Sequence, residues 1–163
     1  MHHPDLDTVF MTEAFKQARY AREKDEVPVG AVIVHKDKII ARAHNQVEML
    51  KDPTAHAEMI AITEATNYLQ AKWLSECSIY VTIEPCSMCA GALVLARIKE
   101  IVYGADDTKT GACGSVANIA NNPGLNHQIN VRKGILAQEC GLLLSEFFQQ
   151  KRKNRKKQEK EWD

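Results

Sequence analysis

Two short segments, residues 56–58 (His-Ala-Glu) and residues 85–89 (Pro-Cys-Ser-Met-Cys), constrain the fold of this chain more than any other part of it. Each follows a predicted passage from strand to loop, and each stands at the start of a predicted helix, over residues 55–65 and 86–96. Thr54 is the expected N-cap of the first helix, and the proline at position 85 suits the start of the second. Side chains of a first helical turn lean back over the helix end. The fold is therefore expected to bring two helix N-termini together at one site.

The residue types in these segments predict a zinc site. Cys86 and Cys89 are three residues apart and share one helical face, and the positive end of the helix dipole favours their thiolate form. Together with His56 they make three ligands of borderline-soft character, which suit zinc. Three protein ligands leave the fourth tetrahedral position to water, as in catalytic sites. We therefore expect one catalytic zinc per chain.

Glu58 stands two residues after the predicted histidine ligand. Zinc lowers the pKa of a bound water from about 15.7 to about 7, a difference of about 12 kcal/mol, so that hydroxide is available at neutral pH. A carboxylate beside that water is needed if a proton must move from the nucleophile to a leaving group. We expect Glu58 to be this proton shuttle. The alternative is a solvated first-turn carboxylate that interacts only with the helix dipole.

A structural zinc site is the alternative for the same three ligands. It needs a fourth protein ligand, and His35, His44, Cys77 and Cys113 are available in principle. None of the four has the paired spacing that structural zinc sites usually show. We expect Cys77, Cys113 and Cys140 to be buried or loop thiols without a role in the site.

The hydrophobic pattern predicts the element order αββαβαβ, followed by a short fifth strand and a last helix. The predicted helices and strands are a helix from Leu6 to about Lys24, strands 29–35 and 39–45, the helix 55–65, strand 78–83, the helix 86–96, strand 100–104, strand 128–133, and a helix 136–156. A tight turn at residues 36–38 makes the first two strands a hairpin. The helical crossover between the third and fourth strands predicts that they are parallel. Residues 46–53 and 105–127 are expected to be loops, the second with one short helical piece.

Charge is distributed unevenly along the chain. The formal net charge is +0, but residues 151–163 hold seven Lys or Arg against three acids, and the remainder holds 14 basic and 18 acidic residues. Such a run suits an arm that extends the last helix and follows the phosphates of a nucleic acid, with Phe147 and Phe148 as nearby stacking surface. The alternative is a disordered, solubilising end.

Length and cysteine content indicate the number of domains and the cellular compartment. The 163 residues are expected to form one domain, 1–163, with residues 151–163 as its basic extension. The five cysteines are an odd number, and there is no apolar N-terminal run and no stretch approaching the length of a membrane span. We expect a cytoplasmic protein without disulfides.

The two segments match the H-x-E and P-C-x-x-C pattern of the zinc-dependent nucleoside and nucleobase deaminases. The likeness extends to residues 26–32, 52–58, 109–112 and 122–127. Over roughly residues 8–150 the chain resembles the bacterial tRNA-specific adenosine-34 deaminases (the TadA type) more than other members of the cytidine/deoxycytidylate deaminase superfamily. The resemblance implies an α/β, three-layer cytidine-deaminase-like fold with a mixed five-stranded sheet and helices on both faces.

The same resemblance implies hydrolytic deamination of adenosine to inosine at the wobble position of a tRNA anticodon loop. The base would be splayed out of the loop, because its amino-bearing carbon cannot be reached while it is stacked. In this family an asparagine at the place of Asn45 holds the base, and the backbone of Ala57 is a second candidate. The loop that carries Asp107 and Lys109 lines the RNA pocket in the family. Outside the family, these side chains would be a turn residue and two solvated charges.

The implied partners are a tRNA anticodon stem-loop and a second copy of the chain, because family members are homodimers whose partner subunit completes the pocket. No membrane is expected, and no DNA is expected as the natural substrate. Two other functions stay open at this point. One is a deaminase of a free nucleobase or nucleoside, such as guanine or cytidine, with the same metal site. The other is a non-catalytic, zinc-stabilised RNA-binding module, which would release no ammonia.

Overall fold

The structure, a computed structural model, describes residues 4–162, with side chains from residue 6 onward. Helices and strands follow one another along this part of the chain as α1 (Pro4–Glu23), β1 (Gly30–His35), β2 (Lys38–His44), α2 (Val47–Leu50), α3 (Ala57–Leu69), β3 (Cys77–Ile83), α4 (Ser87–Leu95), β4 (Glu100–Ala105), β5 (Asn130–Lys133) and α5 (Ala137–Glu161). No helix in residues 4–162 combines the length and the apolar character needed to cross a membrane.

The five strands form one mixed sheet in the order β2-β1-β3-β4-β5. β1 pairs antiparallel with β2 and β3, whereas β3 with β4 and β4 with β5 are parallel. The hairpin between β1 and β2 turns at Lys36 and Asp37, whose φ angles of 50° and 61° are those of a type I′ turn. The predicted hairpin, the parallel crossover and the mixed five-stranded sheet are confirmed.

Helices cover both faces of the sheet. Successive strand residues point to opposite faces, so β1 sends Ile33 to one side and Val32 to the other. The Ile33 side packs against α3 and α4, and the Val32 side packs against α1 and α5. α1 lies so close to β1 that a Cβ atom at Gly30 would be 2.1 Å from the carbonyl oxygen of Ala14. These contacts confirm the three-layer arrangement.

Two local predictions around the first metal segment were wrong. The N-cap of α3 is His56, and Thr54 instead donates from its N–H and Oγ to Asp52 Oδ1, at 2.8 and 2.7 Å. The predicted loop 46–53 contains the short helix α2. It forms there because the buried carboxylate of Glu26 accepts the N–H groups of the first helical residues, a contact between residues far apart in the sequence.

Residues 106–129 form a long loop, as predicted, but the expected short helical piece is absent from them. The loop has two isolated bridges, Cys86 with Gly111 and Cys113 with Asn118. After β5, α5 continues through the basic run as far as Glu161.

A partly buried ionic cluster lies where β3 and β4 begin, at the opposite end of the strands from the metal segments. Arg132 donates to both carboxylate oxygens of Asp7, at 2.8 and 3.1 Å, and to both oxygens of Glu100, each at 3.0 Å. Tyr80 donates its hydroxyl to Asp7 at 2.6 Å. The carboxylate of Asp7 therefore ties α1 to the central strands at a distance from the metal segments.

Candidate active site

The two metal segments meet where α3 and α4 begin. His56 is the N-cap of α3 and Cys86 is the N-cap of α4, both with extended backbone and neither making a side-chain capping bond. Cys89 lies in the first turn of α4, and the donor atoms of the three residues all lie within 4.8 Å of one another. His56 Nδ1 is 3.7 Å from Cys86 Sγ and 3.5 Å from Cys89 Sγ. Two of the three candidate ligands therefore stand at N-cap positions, where a helix usually has Ser, Thr, Asp or Asn.

The spacing of these donor atoms fits zinc. Tetrahedral zinc with zinc–sulfur distances of about 2.3 Å and a zinc–nitrogen distance of about 2.1 Å requires a nitrogen–sulfur separation of about 3.6 Å. Both observed separations lie close to that value. No fourth His, Cys, Asp or Glu belongs to the cluster within the part of the chain that the structure describes. A closed structural site is therefore disfavoured, and the donor set leaves one position for water or substrate.

The surroundings of the ligands favour metal binding. The ring of His56 also has a hydrogen bond to the backbone of Pro53, whose only backbone polar group is its carbonyl. A metal-bound histidine usually donates its other ring N–H to such an acceptor, which fixes the ring orientation. Hydrogen bonding from the Cys89 thiol lowers the pKa of Cys86 to about 4 against the opposing effect of burial, and His56 adds to the lowering. Cys86 is therefore ready to bind as a thiolate.

Glu58 lies in the first turn of α3 and is 4% exposed. Burial is the main cause that raises the pKa of its carboxyl group above the ordinary value. Glu58 also lines a pocket beside the candidate ligands His56 and Cys86. The alternative of a solvated first-turn carboxylate therefore does not hold, because this side chain is held against the ligand cluster instead of facing water.

A pocket of about 350 Å³ opens beside the ligand cluster, and its lining includes His56, Cys86, Glu58, Ala57 and Asn45. Asn45 donates from Nδ2 to the carbonyl of Val27 at 3.3 Å, but its buried Oδ1 has no hydrogen-bond partner among the described residues. A buried acceptor without a partner costs free energy until a ligand donates to it. The N–H of Ala57 belongs to the first turn of α3 and so has no intrahelical acceptor.

The other two predicted contact residues, Asp107 and Lys109, differ in their position relative to the pocket. Asp107 lines the pocket, but its carboxylate accepts hydrogen bonds from the N–H groups of Lys109 and Thr110, at 3.0 and 3.1 Å, and from the Thr110 hydroxyl at 2.8 Å. The carboxylate of Asp107 thus stabilises the conformation of its own loop. Lys109 is exposed and does not belong to the lining of the pocket.

Several lining residues were not predicted as part of the site. Leu144 and Phe148 of α5 reach the pocket from the far end of the chain. Glu26 and Glu84 are buried carboxylates that also line the pocket. The only sequence signal for the two glutamates is their place near an apolar strand: Glu84 directly follows β3, and Glu26 stands four residues before β1. For the α5 residues, helical periodicity predicts burial but not what they face.

Three soft ligands, an open position and a buried carboxylate are typical of zinc-binding hydrolytic sites. Residues 4–105 match the family model described as the cytidine and deoxycytidylate deaminase zinc-binding region. The chain belongs to this deaminase family.

Two relatives and one solved structure indicate which members of this family the chain is similar to. The tRNA-specific adenosine deaminase of Bacillus subtilis (strain 168) is 48% identical over 92% of this chain and 93% of its own length. That of Aquifex aeolicus (strain VF5) is 52% identical over 89% of this chain and 95% of its own length. A solved structure from a study of A-to-I editing by tRNA:A34 deaminases at the wobble position of transfer RNA has a TM-score of 0.81. It is 42% identical and covers 84% of this chain and 99% of the other.

Proposed function

We propose that this protein is a zinc hydrolase that deaminates adenosine to inosine at the wobble position of a tRNA anticodon loop. The observation that carries the proposal is that the ligand cluster His56, Cys86 and Cys89 adjoins a pocket that Glu58 and Asn45 line. The amide oxygen of Asn45 has no hydrogen-bond partner within the described part of the chain. The names of the most similar relatives support the choice of substrate.

In this proposal His56, Cys86 and Cys89 hold one zinc ion, which supplies hydroxide at neutral pH when it is bound. Glu58 takes a proton from the attacking water and delivers it to the ring nitrogen of the adenine as the oxygen adds to the amino-bearing carbon. Glu58 then moves the second proton to the amino group, which leaves as ammonia. Burial raises the pKa of this carboxyl group above its ordinary value, and a raised pKa suits a group that must both take and return a proton.

The flipped nucleoside fills the pocket. Asn45 Oδ1 accepts a hydrogen bond from it, and the N–H of Ala57 donates to it, which would satisfy two protein groups that otherwise lack partners. Asp107 contributes through the loop that it shapes at the pocket wall. Lys109, exposed in that loop, contacts the RNA backbone outside the pocket, as befits a flexible cation.

The basic part of α5 is proposed to contact the tRNA backbone. Phe148 lines the active-site pocket and also lies in a second surface depression with Lys151, Arg152 and Arg155, so the cationic surface adjoins the pocket. Lys151 makes an ion pair with Asp25 at 2.6 Å, which holds the start of the basic run against the body of the protein. An RNA strand leaving the pocket would meet a stacking surface and then cations.

Deleting residues 151–163 should weaken tRNA binding and flatten its salt dependence, because each neutralised phosphate releases counterions. Turnover at saturating RNA should survive, since the deletion shares no residue with the zinc site. A full-length variant with Lys153, Lys156, Lys157 and Lys160 changed to Gln keeps the helix and separates charge from length. Equal affinity and salt slope in all three proteins would make the tail a solubilising end only.

Two further parts of the proposal concern assembly and compartment. We infer a homodimer whose partner subunit completes the pocket, in line with exposed apolar side chains on α2, Met49 and Leu50, beside the pocket residues Val47 and Glu48. The mass in solution, measured by light scattering, should be twice that of the chain, and a monomeric mass at working concentration would refute this.

A cytoplasmic location suits the five cysteines, which are all free thiols in the described residues.

The function is tested by incubating the purified protein with total tRNA and analysing the nucleosides for inosine. Free adenosine, cytidine and guanine are tested in parallel. We expect inosine in tRNA, and turnover of the free compounds at a much lower rate. Faster turnover of guanine or cytidine than of tRNA would favour the free-base enzyme. Zinc and RNA binding without ammonia release from any substrate would favour the non-catalytic module.

A further inference from the structure

Glu84 lies between the last residue of β3 and the second metal segment, and it is 3% exposed. Its carboxylate accepts hydrogen bonds from the N–H groups of Asp107, Cys113 and Ser115, at 3.1, 3.0 and 3.1 Å, and from the Ser115 hydroxyl. All four donors belong to one stretch, residues 105–116, which we call the pocket loop. One buried side chain thus holds two separate parts of this loop.

The pocket loop wraps around this carboxylate and joins the second metal segment directly. Ala112 donates its N–H to the carbonyl of Pro85 at 2.9 Å, and Gly111 forms a bridge with the ligand Cys86. A Cβ atom at Gly111 would lie 2.4 Å from Glu84 Cδ and Oε2. The loop can close on the carboxylate only because this position has no side chain.

An amide side chain would not serve in the same place. A carboxylate offers about four acceptor sites and no donor, which matches four donors that converge on it. A glutamine has one NH₂ group in place of an oxygen. If that group replaces Oε1, the N–H of Asp107 loses its acceptor, and if it replaces Oε2, the N–H groups of Cys113 and Ser115 lose theirs.

The loop has a task in the pocket, because Asp107 and Thr110 line it. Between β4 and β5 these residues have no helix or strand to hold them. Ordering a loop of this kind costs conformational entropy, so a flexible wall would weaken the binding of any substrate that touches it.

We propose that Glu84 is a positioning residue that sets the pocket loop, and hence the wall at Asp107 and Thr110, at a fixed distance from the metal ligands. The proposal rests on the proposed function in one respect: the molecule positioned against this wall is the flipped nucleoside and its flanking RNA. Glu84 also lines the pocket, but the four side-chain hydrogen bonds of its carboxylate described above all go to the loop.

The test compares Glu84→Gln and Gly111→Ala with a matched control, Asp7→Asn. The control also converts a buried carboxylate, 3% exposed, into an amide. This carboxylate belongs to the ionic cluster at the opposite end of the strands from the metal segments. For each protein the zinc content, the thermal midpoint, the KM and kcat for an anticodon stem-loop, and the hydrogen exchange of amides in residues 105–116 are measured.

We expect both loop variants to keep one zinc per chain, to raise KM at least about tenfold, and to change kcat by less than about threefold, because the wall binds ground state and transition state alike. Exchange in residues 105–116 should become faster in both. The control should lower the thermal midpoint and leave KM and loop exchange unchanged.

An unchanged KM in Glu84→Gln overturns the positioning role, even if the thermal midpoint falls as far as in the control. Unchanged exchange in residues 105–116 also overturns it. If the wild-type protein forms no inosine in tRNA, the proposed function fails separately. The same comparison then uses whichever free base or nucleoside the wild-type protein deaminates, and the same outcomes decide the role of Glu84.

Discussion

Changing Glu58 to Ala should lower kcat at least about 10²-fold while zinc content and fold are kept, which is the low end of what a positioned acid–base group supplies. The side chain is buried and lines the pocket beside His56 and Cys86, but it is not a member of the three-residue donor set. Its loss should therefore remove proton transfer and leave metal binding. Turnover at saturating substrate and elemental analysis of the same sample measure the two effects.

Two companion variants sharpen this test. Glu58→Gln keeps the shape of the side chain but cannot carry the proton, so it should lose about as much rate as Glu58→Ala. Glu64→Ala removes an exposed carboxylate from the same helix and should change the rate by less than about twofold. Near-normal turnover in either Glu58 variant with zinc retained would remove Glu58 from the proposed mechanism.

Removing a ligand should have the largest effect of all. In Cys89→Ala we expect zinc to fall from about one per chain to near zero and deamination to fall at least about 10³-fold, because the source of hydroxide is lost together with its binding site. The thermal midpoint should also fall, since a metal that joins the N-termini of α3 and α4 stabilises only the folded state. Elemental analysis, turnover and thermal unfolding of one preparation give all three results.

The matched control is Cys140→Ala. Cys140 is a buried free thiol, but it packs between α5 and the sheet, on the face that α1 also covers. Burial raises the pKa of its thiol to about 12, which keeps it protonated and a poor ligand. This variant should keep its zinc and its rate. X-ray absorption of the wild-type protein should show one nitrogen and two sulfur ligands from the protein, and four protein ligands would contradict a catalytic site.

Much of this protein is already decided by local patterns in its sequence. β1 could be predicted because its apolar, β-branched residues favour a buried strand. The metal ligands could be predicted because His56, Cys86 and Cys89 combine ligand chemistry with spacings that fit helix starts. In both cases the cause lies within a few residues of the chain, so short-range spacing carries the information.

Other features depend on contacts between distant residues. The helix α2 forms in an expected loop because Glu26 reaches it from the segment before β1. Helix propensity could not predict this helix, since residues 46–53 allow both conformations and a distant carboxylate selects one.

The pocket shows most clearly how contacts between distant residues determine the site. Among the residues that the structure describes, Asn45 Oδ1 is buried without a hydrogen-bond partner, and Phe148 enters the lining because α5 returns across the sheet. Glu84 looks from its sequence like an ordinary charge at a strand end, yet it is buried by a loop that begins more than twenty residues later. Burial and hydrogen-bond satisfaction are properties of the assembled layers, so only the three-dimensional arrangement could assign these residues to the site.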